Sequence, residues 1–183
     1  MKYCKKVCGE QVYLSPMSLD DAELYTKWWN DPLVTDNMGV TFMNNTFLSE
    51  RDWMEDMLKK MQPSYAIVRL SDDQVIGNVG FENVNNIHRV AEIGMFIGEK
   101  TDRGKGYGKE AMQLALDYGF GVLNFNNILL RFYEYNAFMF ETYKKMGFKE
   151  IGRRRKSHYL RNAYFDEIYM DILQSDWYER KTV

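Results

Sequence analysis

The sequence predicts a single mixed α/β domain, and three observations support this prediction. Apolar residues recur at helical spacing in some segments and alternate in others, so the chain contains both helices and strands. Hydrophobic residues make up 45% of the 183 residues and proline occupies only 3 positions, which is typical of a folded globular protein. No repeat, low-complexity tract or linker divides residues 1–183, so we expect one domain.

The first part of the chain predicts one strand and two helices. The segment "QVYLSP" has the alternation of a short strand, which Pro16 ends. Two serines each precede an aspartate by three residues, as in a helix capping box. These pairs predict two amphipathic helices: Ser18 with Asp21, through about Asn30, and Ser49 with Asp52, through about Met61.

The pattern then changes to strands separated by turn residues. Three β-rich runs predict a meander: "SYAIVRL" (64–70), "QVIGNVGFENV" (74–84) and "VAEIGMFIG" (90–98). The rest of the chain predicts a helix, a strand, a second helix and two final strands: about Gly108 to Leu123, "NILLRFYEY" (127–135), about Ala137 to Met146, "FKEIGRRRKS" (148–157) and "AYFDEIYMDIL" (163–173).

Charge and composition limit the partners that the chain can have. Its net charge is −2, so there is no basic excess that would indicate nucleic-acid binding. No uncharged apolar stretch approaches the roughly 18 residues of a membrane span, so we expect a cytoplasmic protein without a membrane partner. Cys4 and Cys8 have no second cysteine pair or nearby histidine, and His88 and His158 lie in separate segments, so we expect no metal site.

The stretch "GMFIGEKTDRGKGYGKEAM" (94–112) runs from a strand through a glycine-rich turn into a helix. A helix N terminus presents unpaired N–H groups and the positive end of the helix dipole, which favour an anion. Three glycines allow positive φ and close approach, and three basic residues supply charge at the rim: Gly104, Gly106 and Gly108, with Arg103, Lys105 and Lys109. The turn therefore predicts a phosphate or pyrophosphate site.

Two familiar phosphate-binding loops do not fit this turn. A dinucleotide fingerprint, G-x-G-x-x-G, needs its third glycine where Lys109 stands. A nucleotide P-loop needs Ser or Thr where Gly106 follows Lys105, and the glycine spacing before the lysine is one residue too long. The turn does fit R-x-x-G-x-G, beginning at Arg103. An ordinary glycine turn with surface lysines is the alternative interpretation.

On this motif the sequence resembles the GNAT family of acetyl-CoA-dependent N-acetyltransferases, whose pattern is (Q/R)-x-x-G-x-(G/A). The stretch "NAFMFETYKKMGF" resembles a second signature of that family, with Asn136 and Tyr143 at the matching positions. The order of elements from 12 to 173 resembles the whole GNAT fold, and the final segments resemble the ribosomal-protein alanine and spermidine N-acetyltransferase branch. The resemblance implies a mixed, mostly antiparallel central sheet of about seven strands flanked by about four helices.

The resemblance also implies a donor, an acceptor and a binding surface. Acetyl-CoA would be the acyl donor and a primary amine the acceptor, with direct attack in a ternary complex and no metal. The implied cofactor-binding residues are three strand positions along the pantetheine arm, the glycine-rich turn and one asparagine: Met95, Phe96 and Ile97; Arg103, Gly104, Lys105, Gly106, Tyr107, Gly108 and Lys109; and Asn136. The competing interpretation is an acyl-CoA-binding domain without turnover, and a homodimer is possible.

Acetyl transfer to an amine needs a group that takes the amine proton and a group that protonates the departing thiolate. Tyr143 is predicted as the acid, because it follows Asn136 by two helical turns and its phenol has a pKa near 10; a core aromatic is the alternative. Glu92 is predicted as the base, with a salt-bridged sheet residue as the alternative and Glu134 as the second candidate.

Acceptor specificity is predicted to depend on three regions of the chain. These regions are the first two helices, residues 31–48 and the final hairpin. Trp28 and Trp29 on the first helix are predicted to be core residues, although one of them could form the floor of an acceptor pocket. The identity of the amine does not follow from the sequence.

Overall fold

An eight-stranded sheet runs through the computed structural model, which describes residues 2–181. Its strands follow the spatial order β1-β2-β3-β4-β5-β6-β8-β7, and of the strand pairs in this described range only β5 and β6 are parallel. The strands are β1 (Val7–Cys8), β2 (Val12–Pro16), β3 (Ser64–Arg69), β4 (Val75–Asn85), β5 (Val90–Ile97), β6 (Asn127–Tyr133), β7 (Lys149–Leu160) and β8 (Ala163–Leu173).

Among the described residues, six α-helices flank this sheet: α1 (Ala22–Trp29), α2 (Pro32–Met38), α3 (Phe47–Lys59), α4 (Tyr107–Gly121), α5 (Ala137–Met146) and α6 (Gln174–Glu179). The predicted mixed, mostly antiparallel fold is confirmed, with one strand and two helices more than the sequence indicated. The three additional elements are β1, α2 and α6, of two, seven and six residues. Elements this short contain too few residues to show a clear periodicity. No helix within the described residues is long and apolar enough to cross a membrane.

The two predicted capping pairs act differently in the structure. Ser18 does cap a helical turn, because its side chain accepts from the Asp20 N–H at 3.3 Å, but that turn is a short 3₁₀ helix that leads into α1. The prediction that Ser49 begins a helix is wrong. Thr46 is the N-cap of α3, and the side chains of Thr46 and Ser49 accept from each other's backbone N–H at 3.1 and 2.9 Å. The predicted start of this helix is therefore too late, since Ser49 is the third residue of α3 and not its N-cap.

Helices cover both faces of the sheet, and each face has its own apolar core. Residues of α4, α5 and α6 pack on one face, together with alternate residues of the strands such as Leu14, Ile67 and Ile93. Residues of α1, α2 and α3 pack on the other face, where Val68 and Phe96 point. Because side chains alternate along a strand, this arrangement places neighbouring residues of β5 in different environments.

The sheet opens between β5 and β6. These strands pair only from Val90 to Glu92 with Asn127 to Leu129. Beyond Glu92, β5 stays paired with β4 as far as Ile97, while β6 stays paired with β8. The carboxyl-terminal halves of the two parallel strands therefore leave a gap in the middle of the sheet. Helices α4 and α5 begin beyond the ends of these two strands, so their N termini lie at this opening.

Candidate active site

The glycine-rich turn connects the end of β5 to the N terminus of α4. Gly104 and Gly106 have φ of +76° and +91°, in the left-handed region that favours glycine, and Gly106 is the N-cap of α4. Gly108 does not have a positive φ, so its predicted conformational role is wrong. A Cβ at Gly108 would lie 3.3 Å from Met95 Cε, so this glycine instead lets α4 pack closely against β5.

The N terminus of α4 is open for a ligand. The first hydrogen bond of the helix runs from the Glu110 N–H to the Gly106 carbonyl at 3.0 Å. Within residues 2–181, neither a side chain nor a backbone carbonyl accepts a hydrogen bond from the N–H groups of residues 104–109. Lys105 and Lys109 are exposed, and a Cβ on Gly104 would meet no atom within 4 Å. The turn can therefore receive an anion through its amides.

Arg103 differs from the two lysines because its side chain is tied to backbone carbonyls. Its Nε donates to the Ile97 carbonyl at 3.1 Å, and its two terminal nitrogens donate to the carbonyls of Gly98 at 2.8 Å and Leu33 at 3.1 Å. Ile97 and Gly98 end β5, and Leu33 lies in α2. The guanidinium thus joins the end of β5 to α2, whereas sequence reasoning placed its charge at the rim of the turn.

The three strand positions predicted along the pantetheine arm lie beside the gap. Met95, Phe96 and Ile97 pair with β4 on one side, and the described backbone pairs none of them with β6 on the other. Met95 and Ile97 pack toward the α4 face, and Phe96 packs toward α1. A Cβ on Gly94 would meet no atom within 4 Å, so the approach to this part of β5 is open. An extended ligand could therefore hydrogen-bond to the main chain here.

Tyr143 lies in α5 and Asn136 directly precedes this helix, as predicted. Asn136 is the N-cap residue, and its Nδ2 donates to Asn37 Oδ1 of α2 at 3.1 Å. Tyr143 is buried, with its ring against Phe132 and Phe148 at centroid distances of 5.6 and 5.7 Å. Burial raises the pKa of the Tyr143 phenol above 10, so the hydroxyl stays protonated at neutral pH and can act as a proton donor.

Glu92 lies where the gap begins and belongs to an ionic network on the α1 face of the sheet. Its Oε1 accepts from Arg131, and its Oε2 accepts from Asn83 at 2.9 Å. Arg131 also pairs with the buried Glu167 at 3.1 Å, which in turn accepts from Tyr169 at 2.7 Å. Hydrogen bonding to Glu92 raises the pKa of the Arg131 guanidinium. Arg154 lies opposite Glu167 in the pairing of β7 with β8, so the two carboxylates of this network have two guanidinium groups beside them.

Glu134, the second base candidate, lies apart from that network. It is exposed at the end of β6 and lines a cavity of about 480 Å³ together with residues of α5, β7 and β8: Tyr135, Ala137, Phe140, Arg153, Phe165 and Ile168. The structure therefore places Glu92, and not Glu134, at the point where β5 and β6 separate.

A second cavity, of about 400 Å³, lies between α2 and the β7–β8 hairpin, and we call it the acceptor cavity. Its lining residues are Pro32, Leu33, Asp36, Asn37, Arg103, Tyr135, Leu160, Arg161, Ala163 and Phe165. The segment 31–48 and the final hairpin, which the sequence predicted to set specificity, thus meet in one cavity. Sequence reasoning missed its individual residues because α2 was not predicted.

Three contacts hold α2 against its neighbours at this cavity. The Tyr135 hydroxyl donates to the Asp36 carbonyl, Asn136 donates to Asn37, and Arg161 pairs with the Asp36 carboxylate at 2.5 Å. Arg161 and Asn162 have φ of +48° and +63° and form the two-residue turn of the β7–β8 hairpin. The sequence signal for this turn was the pair "RN" between two alternating runs.

The two tryptophans of α1 have separate roles. Trp28 is 1% exposed, and its Nε1 donates to Glu99 at 3.1 Å, so it is the core residue that was predicted. Trp29 is partly exposed and packs on Phe96 of β5 with a centroid distance of 4.9 Å. Trp29 therefore contacts a residue that borders the gap. No group of metal-ligating side chains occurs in the part of the chain that the structure describes.

Glu50 is a buried carboxylate between α1 and α3. Only 4% of the residue is exposed, its carboxyl group accepts a hydrogen bond from Trp29, and its Oε1 has no partner within residues 2–181. Burial raises the pKa of this carboxyl from 4.5 to about 7, while the Trp29 hydrogen bond acts in the opposite direction. Near neutral pH the buried surroundings of Glu50 therefore favour the protonated, neutral form of its carboxyl group.

The Glu50→Gln variant is expected to be more stable than the wild type at pH 8 by roughly 2–3 kcal/mol, and by little at pH 4. The folded state holds the Glu50 proton more tightly than the unfolded state, so its contribution is complete below pH 4.5 and is lost as pH rises through about 7. Denaturant unfolding across this range measures the difference. The control is Glu55→Gln in the same helix, because pairing with Lys59 lowers the pKa of that carboxyl and its loss should not stabilise the protein at pH 8. An equal gain in both variants would contradict a destabilising buried Glu50 carboxylate.

Comparisons with known proteins agree with this architecture. A family model described as an acetyltransferase (GNAT) domain matches residues 11–149. The chain is 28% identical over 172 residues to an uncharacterized N-acetyltransferase, p20, of Bacillus licheniformis, covering 92% of this chain and 96% of that protein. It is 32% identical over 114 residues to a spermidine N(1)-acetyltransferase of Vibrio cholerae, covering 62% and 65%.

A solved structure shows the same fold over nearly the whole chain. The crystal structure of spermidine N-acetyltransferase from Vibrio cholerae in complex with CoA and spermine superposes with a TM-score of 0.85, at 23% identity, covering 93% of this chain and 99% of that chain. At this identity the likeness concerns the fold. The eight-stranded sheet and the helices on its two faces therefore belong to an architecture that other chains share.

Proposed function

Because the chain belongs to the GNAT acetyltransferase family, we propose that this acyltransferase moves the acetyl group of acetyl-CoA to a primary amine by direct attack in a ternary complex. The amine nitrogen forms a bond to the thioester carbonyl carbon, the carbon–sulfur bond breaks, and the thiolate takes up a proton. The observation that carries the proposal is the gap between β5 and β6, which opens beside the uncapped N terminus of α4.

The residues present fit CoA as a ligand of this gap. The amides of residues 104–109 would receive the pyrophosphate, with Lys105 and Lys109 at the rim. The main chain of β5 from Met95 to Ile97 would hydrogen-bond to the pantetheine arm, because no strand pairs with it on the side of the gap. Asn136, at the start of α5, would complete the surface from the opposite side.

Tyr143 is proposed to give its proton to the departing thiolate. Its burial keeps the phenol protonated at neutral pH, and it lies on the helix that begins beside the gap. Its packing between Phe132 and Phe148 holds the ring in one position, so the hydroxyl does not need to be ordered when the substrates bind.

Glu92 is proposed to take the proton of the amine, directly or through water. A primary amine has a pKa near 10, so most of it is protonated at neutral pH. The position of the Glu92 carboxylate at the start of the gap supports this role. Its pairing with Arg131 is also the structural alternative, in which the carboxylate only ties β5 to β6.

The Glu92→Gln variant separates these two roles. If Glu92 takes the proton, kcat/KM at pH 7 should fall by about 100-fold and recover as pH approaches the pKa of the free amine. Steady-state rates from pH 6 to 10 measure this effect, with Glu134→Gln as the control that should retain nearly the wild-type profile. A variant that loses stability but keeps the wild-type rate and profile would show that Glu92 acts only in the ion pair.

The acceptor is proposed to be a protein N-terminal amine or a small-molecule amine bound in the acceptor cavity. The cavity lies between α2 and the β7–β8 hairpin, the two regions expected to set specificity. Among small-molecule amines, the spermidine N(1)-acetyltransferase relative favours polyamines as candidates. A homodimer and a cytoplasmic location stay predictions.

A panel of amines tests the proposed function. Acetyl-CoA is incubated with the protein and with spermidine, spermine, peptides with N-terminal alanine or serine, amino sugars or aminoglycosides, and free thiol is measured. Release of CoA with at least one amine is expected. The alternative is an acyl-CoA-binding domain without turnover, which calorimetry would show as acetyl-CoA binding together with no thiol release from any amine.

A further inference from the structure

Arg103 is the first residue of the R-x-x-G-x-G turn, yet its side chain also donates a hydrogen bond to a helix far away in the sequence. The three donor nitrogens of its guanidinium each contact a backbone carbonyl, two at the end of β5 and one at Leu33 of α2. Arginine suits this task because its donors form a fixed planar fork, whereas a lysine ammonium is a compact charge on a flexible stem.

Helix α2 depends on such contacts for its position. It has only seven residues, and helices this short are marginal in water, so tertiary contacts must hold it. Asp31 caps its start through the Leu33 N–H at 2.9 Å, and its end meets Tyr135, Asn136 and Arg161 through Asp36 and Asn37. Arg103 supplies a hydrogen bond that joins its first turn to the strand and turn on the cofactor side, in addition to the apolar cluster that contains Val34 and Phe96.

The same helix forms one wall of the acceptor cavity. Pro32, Leu33, Asp36 and Asn37 line that cavity, and Arg103 lines it as well. A displacement of the first turn of α2 would therefore change the shape of the cavity directly. It would not directly change the pyrophosphate site, because the amides of residues 104–109 belong to the glycine-rich turn and to α4.

We propose that Arg103 is a positioning residue for the amine acceptor, which fixes α2 to the end of the strand that borders the acetyl-CoA gap. This inference rests on the proposed function, because it takes the cavity beside α2 as the acceptor site. Loss of the guanidinium weakens acceptor binding and leaves the amide-based binding of acetyl-CoA nearly intact. The arginine of the turn thereby couples the cofactor strand to the acceptor wall.

The test uses Arg103→Gln and Arg103→Lys in the full chain, with Lys100→Gln, an exposed residue of the preceding 3₁₀ turn, as the matched control. Hydrogen exchange of the amides of 33–38, calorimetry with acetyl-CoA and steady-state kinetics with the best amine of the panel are measured. For Arg103→Gln we expect at least tenfold faster exchange in α2, at least a tenfold higher KM for the amine, and a Kd for acetyl-CoA within threefold of the wild type. Arg103→Lys should restore only part of the loss.

Two results would overturn the proposal: unchanged exchange in α2, or a tenfold weaker binding of acetyl-CoA together with an unchanged amine KM. The second result would mean that Arg103 serves the cofactor. If no amine is acetylated by the wild type, the proposed function fails, while exchange and calorimetry still decide whether Arg103 fixes α2. If the glutamine variant does not fold, the lysine variant carries the same comparison.

Discussion

Tyr143→Phe is expected to lower kcat by about 100-fold or more with little change in acetyl-CoA affinity. The substitution keeps the ring and its packing against Phe132 and Phe148 but removes the hydroxyl that would protonate the thiolate. Steady-state kinetics measure kcat, calorimetry measures the affinity for acetyl-CoA, and thermal unfolding of the same preparation measures the stability.

A purely structural tyrosine would show a different pattern. Removal of a buried hydroxyl that makes a hydrogen bond costs about 1 kcal/mol of stability and leaves the rate nearly unchanged. A Tyr143→Phe enzyme that turns over at close to the wild-type rate would therefore show that water protonates the thiolate or that the thiolate leaves without help. The control is Tyr65→Phe, since Tyr65 is also a buried tyrosine but lies on β3, away from the gap.

Gly106→Val is expected to weaken acetyl-CoA binding by about 100-fold or more. Gly106 has φ of +91°, which a β-branched side chain does not tolerate, and its amide is one of those that would receive the pyrophosphate. Lys109→Ala, in the same turn, should cost no more than about 1 kcal/mol, because its side chain is exposed. Calorimetry with acetyl-CoA measures both variants.

Equal losses in the two variants, with both proteins folded, would contradict binding through backbone amides and favour binding through charge. Gly108→Val is a poorer test of the turn. A side chain at Gly108 would meet Met95 and Ile97, so the substitution also disturbs the packing of α4 on β5.

The main elements of the fold follow from the sequence because their patterns are long. The strands from Ser64 to Ile97 and the helix α4 each contain enough periodic residues to fix their type, and Gly147, with φ of +101°, ends α5 as expected. Helix α2 has only seven residues, and its position depends on partners about 70 to 125 residues away in the sequence. Such contacts leave no local pattern, so the helix was not predicted.

The same limit applies to the candidate site. The residues of the turn could be found because a strand, glycines and a helix N terminus occur together within one short segment. The network around Glu92 could not be found in this way, since Asn83, Arg131 and Glu167 come from three other strands. The carbonyl contacts of Arg103 were also missed, because a motif gives the identity of a side chain and not its hydrogen-bond partners.

The most direct test of acetyl transfer by direct attack is intact-protein mass spectrometry combined with quantification of the acetylated amine. The protein is mixed with acetyl-CoA alone and then with the best amine of the panel. Direct attack predicts no added acetyl mass on the protein before the amine is added, and one acetylated amine for each CoA released afterwards. An acetylated protein that forms with acetyl-CoA alone and disappears when the amine is added would contradict direct attack, and the absence of any acetylated amine would contradict acetyl transfer itself.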